Sequence, residues 1–158
     1  MNPIVRLGAL ALAASLVGCS SLEITAPPPQ QIEEITFHPS LEIDLSAMTR
    51  LESGIYVEDL VEGEGEVAEA QTTTVNVAYQ GWVATSGRTF IVDEASIILG
   101  VGEVPAGLDL AIQGMKGGGR RRAVVPPELG YGRIPNNLVP GGSVLVYEIE
   151  LLEVFPRT

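Results

Sequence analysis

Hydrophobic and polar residues alternate along two long stretches of this chain, and only one segment repeats at helical spacing. From Thr72 to Val83, Val75, Val77 and Tyr79 fall on one face, with Asn76, Ala78 and Gln80 on the other. This period-two pattern predicts a half-buried strand. From Ser143 to Phe155, Val144, Val146, Glu148 and Glu150 alternate with Leu145, Tyr147, Ile149 and Leu151, predicting a second. Shorter strands are expected over 54–61, 97–99 and 121–125. Gly63 and Gly65 supply a loop within Glu62–Glu66, and Ser86-Gly87 marks a turn before Arg88-Thr89-Phe90. Helical spacing occurs in Pro105–Met115, where Leu108, Ala111, Ile112 and Met115 share a side. Proline suits its first turn, and Gly117-Gly118-Gly119 is expected to stop it. The elements predict an α+β domain: an antiparallel sheet of about five strands with one short helix on one face. Pro126 to Gly142 is expected as a long loop before the last strand.

Composition agrees with frequent turns and few helices, with 18 Gly and 11 Pro among 158 residues. That length favours one domain plus appendages. A formal charge of −11 argues against nucleic acid as a partner. One cysteine and one histidine, His38, leave too few ligands for a His- or Cys-based metal site, and a nucleophilic triad would have to use that histidine. His38 reads as a solvated loop residue before Pro39. Neither a metal nor a cofactor is expected.

The N-terminus reads as an address. Arg6 is followed by an apolar run over Leu7–Gly18, far short of the ~20 residues that span a bilayer, so 1–18 is expected to be a secretory signal peptide. Residues 19–49, with Pro27-Pro28-Pro29, read as a stiff tether, and 50–156 as the domain. From Ser21 to Glu69 there are twelve acidic residues against one basic, Arg50, the mark of a solvated face.

Gly117-Gly118-Gly119-Arg120-Arg121-Arg122 does not read as a phosphate cradle, because the glycines follow a helix and enter a strand. In that strand Arg120 and Arg122 point one way and Arg121 the other.

Several strings fall in one order: Leu51-Glu52-Ser53-Gly54-Ile55-Tyr56, Glu62-Gly63-Glu64-Gly65, Val75-Asn76-Val77-Ala78-Tyr79-Gln80-Gly81 and Ser86-Gly87-Arg88-Thr89-Phe90. They continue with Gln113-Gly114-Met115-Lys116-Gly117-Gly118, Val125-Pro126-Pro127-Glu128-Leu129-Gly130-Tyr131-Gly132 and Leu145-Val146-Tyr147-Glu148-Ile149-Glu150-Leu151-Leu152. Any one is weak; together, over Arg50 to Val154, they resemble the FKBP family. The resemblance implies a curved sheet wrapped over a short helix, with a shallow apolar pocket between them. It also implies the activity, cis/trans isomerisation of peptide bonds preceding proline, and the partners: proline-containing flexible polypeptides and macrolide inhibitors. Tyr79, Phe90, Tyr131 and Tyr147 match the catalytic positions, with the Tyr131 hydroxyl offered to a substrate carbonyl. Val104, Leu108 and Val139, joined by Ile91 and Pro105, match the substrate-binding positions, and Leu108 would form the floor. Similarly, Leu16-Val17-Gly18-Cys19 resembles a bacterial lipobox, which implies lipid on Cys19. Ser20 after it implies an exported protein held at the cell envelope, on the outer membrane if the cell has one.

Four positions depart from the family pattern. Ile91 stands where the family has Asp directly after the Phe, with Asp93 two residues further on. Ala95 falls on the family's second pocket Phe. The Ile whose amide donates to the bound segment falls on Pro105, which has no N–H, unless a one-residue shift puts Val104 there. The loop from Gly132 to Val139 looks about one residue short. These losses leave two readings open: an isomerase that assists folding of exported proteins, or a proline-segment binding module or holding chaperone with little turnover.

Overall fold

The computed structural model describes residues 28–69 and 73–156. The expected signal peptide, Cys19, residues 19–27 of the expected tether, and Thr72 at the start of the first alternating stretch lie outside them.

Six strands form one antiparallel sheet: β1 (Thr49–Arg50), β2 (Tyr56–Val61), β3 (Thr73–Val83), β4 (Thr89–Ile98), β5 (Arg120–Val125) and β6 (Leu145–Pro156), in the order β1-β2-β5-β6-β3-β4. This is one strand more than expected, because Thr49-Arg50 pairs with Val57 and Tyr56 at one edge. Two residues are too short for a periodicity signal. The short strand expected at 97–99 is the end of a ten-residue β4. Its middle, Val92-Asp93-Glu94, is exposed and polar enough to hide the pattern.

Alternation in the central strands divides the sheet into two apolar faces. Val75, Val77, Tyr79, Leu145, Tyr147, Ile149 and Leu151 point to the inner face, where the helix α1 (Ala106–Ile112) packs through Leu108, Ala111 and Ile112. Val124, Val144 and Val146 point outward. The stretch that reads as a tether is, from residue 28 on, a strap laid over that outer face. Three single-turn 3₁₀ segments (Ile32–Glu34, Pro39–Leu41 and Leu45–Ala47) present Ile32, Leu41 and Met48 to the outward valines. Burying each such side chain contributes ~1.5–3 kcal/mol, which favours docking over a free tether. His38, read as solvated, caps one of these turns by accepting from Ser40 N at 3.3 Å.

The helix ends at Ile112, earlier than expected. Gly114, at φ +78°, makes the turn out of the helix, and the Arg121 guanidinium takes its last carbonyls. Arg121 Nη1 donates to Ala111 O at 3.0 Å and to Gln113 O at 3.2 Å, while Nε and Nη2 donate to the Asp59 carboxylate at 2.6 and 3.1 Å. Arg121 therefore points inward, and Arg120 and Arg122 pair with Glu148 on the other side. Gly117–Gly119 have a different role from the helix stop expected of them. The 63–66 loop lies directly on them, with Gly65 N donating to Gly117 O at 3.0 Å and Gly117 N to Glu66 O at 3.0 Å.

β4 forms the edge of the sheet opposite β1, and carboxylates cover part of its free backbone. Glu94 N donates to Asp93 Oδ1 at 2.9 Å and Ile98 N to Glu103 Oε2 at 2.7 Å, which limits pairing with another chain.

Candidate active site

Phe90 owes its position to an irregularity in the β3–β4 ladder. Gly81 pairs with Ile91, and the next pair is Trp82 with Thr89, so Phe90 is an extra residue that turns inward beside Ile91. Gly81 makes room for both: a Cβ there would lie 2.6 Å from Phe90 Cζ and 2.9 Å from Ile91 Cγ2. Phe90 then meets two tyrosines edge-on. Its ring centroid is 5.7 Å from that of Tyr131 at 88°, and 5.7 Å from that of Tyr147 at 83°. This edge-to-face arrangement is favourable for aromatic quadrupoles. Tyr131 comes from the loop after β5, where Pro127–Leu129 forms a 3₁₀ turn. Tyr147 comes from the middle of β6 and Tyr79 from β3.

The sheet thus brings Tyr79, Phe90, Tyr131 and Tyr147 into one cluster with Leu108 and Val139. Leu108 is 1% exposed, closing the cluster from the helix side. Val104 and Ile91 pack against its rim, half-buried. Beside Phe90, Tyr131 and Val139 a depression of 240 Å³ opens to solvent, its far wall made by Asn136, Asn137 and Leu138. That is below the ~300–1,000 Å³ of sites that enclose large ligands, and suits a small ring entering from the surface. Sequence reasoning missed Asn136, Asn137 and Leu138. The Asn-Asn-Leu-Val order gave a faint signal, since Asn136 Oδ1 accepts from Leu138 N and Val139 N at 2.8 and 2.7 Å and shapes the loop. A larger groove of 310 Å³ is lined by Tyr79 and Asp93 together with Arg120, Glu148 and Glu150, so the Tyr79–Asp93 pair faces this groove, whereas Phe90 and Tyr131 face the depression.

Burial holds all three tyrosine hydroxyls of the cluster in their protonated form. Tyr147 is pushed up most, by burial first and then by the nearby Tyr131 and Tyr79 oxygens. Burial raises Tyr131. Burial, followed by the Asp93 carboxylate, raises Tyr79. Neutral hydroxyls can donate, and they differ in what already occupies them. Tyr79 donates to Asp93 Oδ2 at 3.3 Å. Tyr147 is 1% exposed, yet among the described residues no fully buried side-chain oxygen lacks a partner. Neither Tyr131 nor Tyr147 makes a side-chain hydrogen bond to another described residue. Tyr131 is the half-buried one of the two, so its hydroxyl is the one placed to donate to a bound segment.

Two of the departures read from the sequence resolve in space. Asp93 is the register partner of Tyr79, so its carboxylate reaches that hydroxyl although Ile91 holds the position after Phe90. Pro105 caps the helix directly before Ala106 and has no N–H of its own, and Val104 precedes it half-buried. Ala95 packs at the edge of the core opposite Val77 and adds no ring to the cluster.

Known proteins match this geometry over the same stretch. Residues 65–152 fit the family described as FKBP-type peptidyl-prolyl cis-trans isomerase. An FK506-binding protein of Neisseria meningitidis serogroup B is 38% identical over 108 residues, covering 65% of this chain and 97% of the relative. The crystal structure of AtFKBP13 superposes with a TM-score of 0.61 at 29% identity, over 67% of this chain and 97% of that one. FkpA from Escherichia coli gives 0.64 at 28%, over 76% and 56%. The match extends over the sheet, the helix and the aromatic cluster, and this chain accordingly belongs to the FKBP-type peptidyl-prolyl cis-trans isomerase family.

Proposed function

We propose that the hollow beside Phe90, Tyr131 and Val139, backed by the buried Tyr147 and Leu108, is where this isomerase twists a prolyl amide, and that it does so for exported polypeptides at a cell envelope. The single observation that carries the site is the double edge-on contact of Phe90 with Tyr131 and Tyr147, which builds a rigid apolar wall beside the half-buried Tyr131.

The chemistry asks for little more. Rotation about the peptide bond costs ~18–20 kcal/mol because resonance is lost in the twisted state. No bond breaks, so the site has only to bind the twisted, less charge-separated amide better than the planar one. An apolar wall removes the water that stabilises the planar dipole, while the Tyr131 hydroxyl donates to a carbonyl of the bound segment. Tyr79 and Asp93 hold each other in the neighbouring groove, Val139 lines the hollow, and Val104 and Ile91 pack against the same core. Because Pro105 offers no N–H, the bound segment has one anchor fewer, and recognition falls on the apolar walls. The family binds FK506-type macrolides as well as proline-containing peptides, and this chain would bind such macrolides through those same walls.

The envelope reading rests on Cys19 and the apolar run before it. Lipid on Cys19 would hold the protein on a membrane, since each buried methylene contributes ~0.8 kcal/mol. The residues after it would then present the hollow to passing chains.

Two measurements test this reading. In a protease-coupled assay with a proline-containing peptide, Tyr131→Phe is expected to lower kcat/KM about 2- to 10-fold, the worth of one hydrogen bond. Peptide binding with no turnover by the unmodified chain would overturn the role given to the hollow. Cys19→Ala should move the protein from the membrane pellet to the soluble fraction; retention in the pellet after a high-salt wash would end the lipid-anchor reading.

A further inference from the structure

We propose that the strap on the outer face is part of the catalytic apparatus, and that Gln30 is a positioning residue for the loop that carries Tyr131. Gln30 grips the far end of that loop twice. Its backbone N donates to Gly142 O at 2.9 Å, and its Oε1 accepts from Val144 N at 3.0 Å. Gly142, in turn, donates its own N–H to Gly132 O at 2.7 Å, and Gly132 N donates to Pro127 O at 2.8 Å. A continuous hydrogen-bonded path therefore runs from Gln30 to the residue directly after Tyr131. Both glycines on it sit at positive φ, +74° and +64°. A Cβ on Gly142 would stand 3.2 Å from Pro29 Cα, so the strap is seated directly against the loop.

A second tie holds the loop from the opposite side. His38 N donates to Ala84 O at 2.8 Å, and the His38 ring lies against Gly87 in the β3–β4 turn. From that turn, Arg88 donates to Leu138 O in the wall of the depression. Loops of this length with little regular structure open easily unless they are tied down. Here the ties come from residues that fold against the opposite side of the sheet. The Phe90–Tyr131 contact needs the loop in one place, so whatever holds Gly132 and Gly142 also sets how often the hollow is formed.

The inference rests on the reading of the Tyr131 loop as a wall of the site, and the experiment separates the two. The full chain carrying Gln30→Ala, Gln30→Glu, Tyr56→Phe or Tyr131→Ala is assayed with the same proline peptide, and Tm and amide hydrogen exchange are recorded for each. Tyr56→Phe removes the bond from Tyr56 to Glu33, which holds the strap far from the loop. The expected result is a fall in kcat/KM of about 3- to 10-fold for Gln30→Ala, with faster exchange at Gly132 and Val144. Gln30→Glu keeps an oxygen for Val144 N and should retain activity, and Tyr56→Phe should stay within about 2-fold of the unmodified chain. An unchanged Gln30→Ala, or an equal fall in Gln30→Ala, Gln30→Glu and Tyr56→Phe, overturns the positioning role while a fall in Tyr131→Ala leaves the site reading standing. An active Tyr131→Ala sinks that reading and the inference with it.

Discussion

Replacing Tyr147 with Ala is expected to lower stability by about 3–5 kcal/mol and kcat/KM by about 10- to 100-fold. The side chain is 1% exposed in the middle of β6, so its removal leaves a cavity lined by core residues that strand pairing keeps from collapsing. Activity falls for a separate reason: Phe90 loses one of its two edge-on partners and with it the fixed orientation of the wall it shares with Tyr131. The control is Tyr147→Phe, which keeps the ring and removes the hydroxyl. It should stay within about 1 kcal/mol of the unmodified protein, with kcat/KM reduced only a few-fold. Chemical unfolding and the peptide assay read both effects. An alanine variant that kept its activity in the folded state would mean that the aromatic wall does not shape the site.

The second large effect is expected far from the hollow, at Gly63. A Cβ there would meet Lys116 O, would stand 2.5 Å from Gly117 O, and would stand 2.7 Å from Gly119 N, all backbone atoms. No side chain can rotate away, so the 63–66 loop must lift off the segment that follows α1. A loss of about 3 kcal/mol, the upper end for overpacking, follows for Gly63→Ala, a drop in Tm on the order of 10 °C. Because none of these atoms lines the hollow, kcat/KM measured well below the new Tm should be preserved. A Tm within about 2 °C of the unmodified protein would show that the loop does not need this close approach.

The two alternating stretches were legible because burial on one face of a strand imposes a period of two whatever the rest of the chain does. β3 and β6 therefore carry Tyr79 and Tyr147 inward as read. β4 was legible only at its C-terminal end, since its exposed middle at the sheet edge has no buried face to write a pattern. The helix end was misplaced because Arg121, distant in sequence, takes the last carbonyls and lets the chain turn at Gly114. The strap looked like a tether because its apolar residues are spaced irregularly across three short turns. Only the outward valines of β5 and β6 give Ile32, Leu41 and Met48 a common surface.

The amino-acid order alone thus determined the class of fold, the family, and that Tyr79 and Tyr147 stand on strands and Tyr131 in a loop, all consequences of local periodicity and of motifs in register. Tertiary structure decided that Asp93 reaches the Tyr79 hydroxyl, that Phe90 turns inward, and that Pro105 caps the helix. Each of these depends on pairing between residues well separated along the chain, on a bulge of one residue, or on the length of a turn. The alternation of side chains is the same for every register, so it cannot say which two strands meet or where.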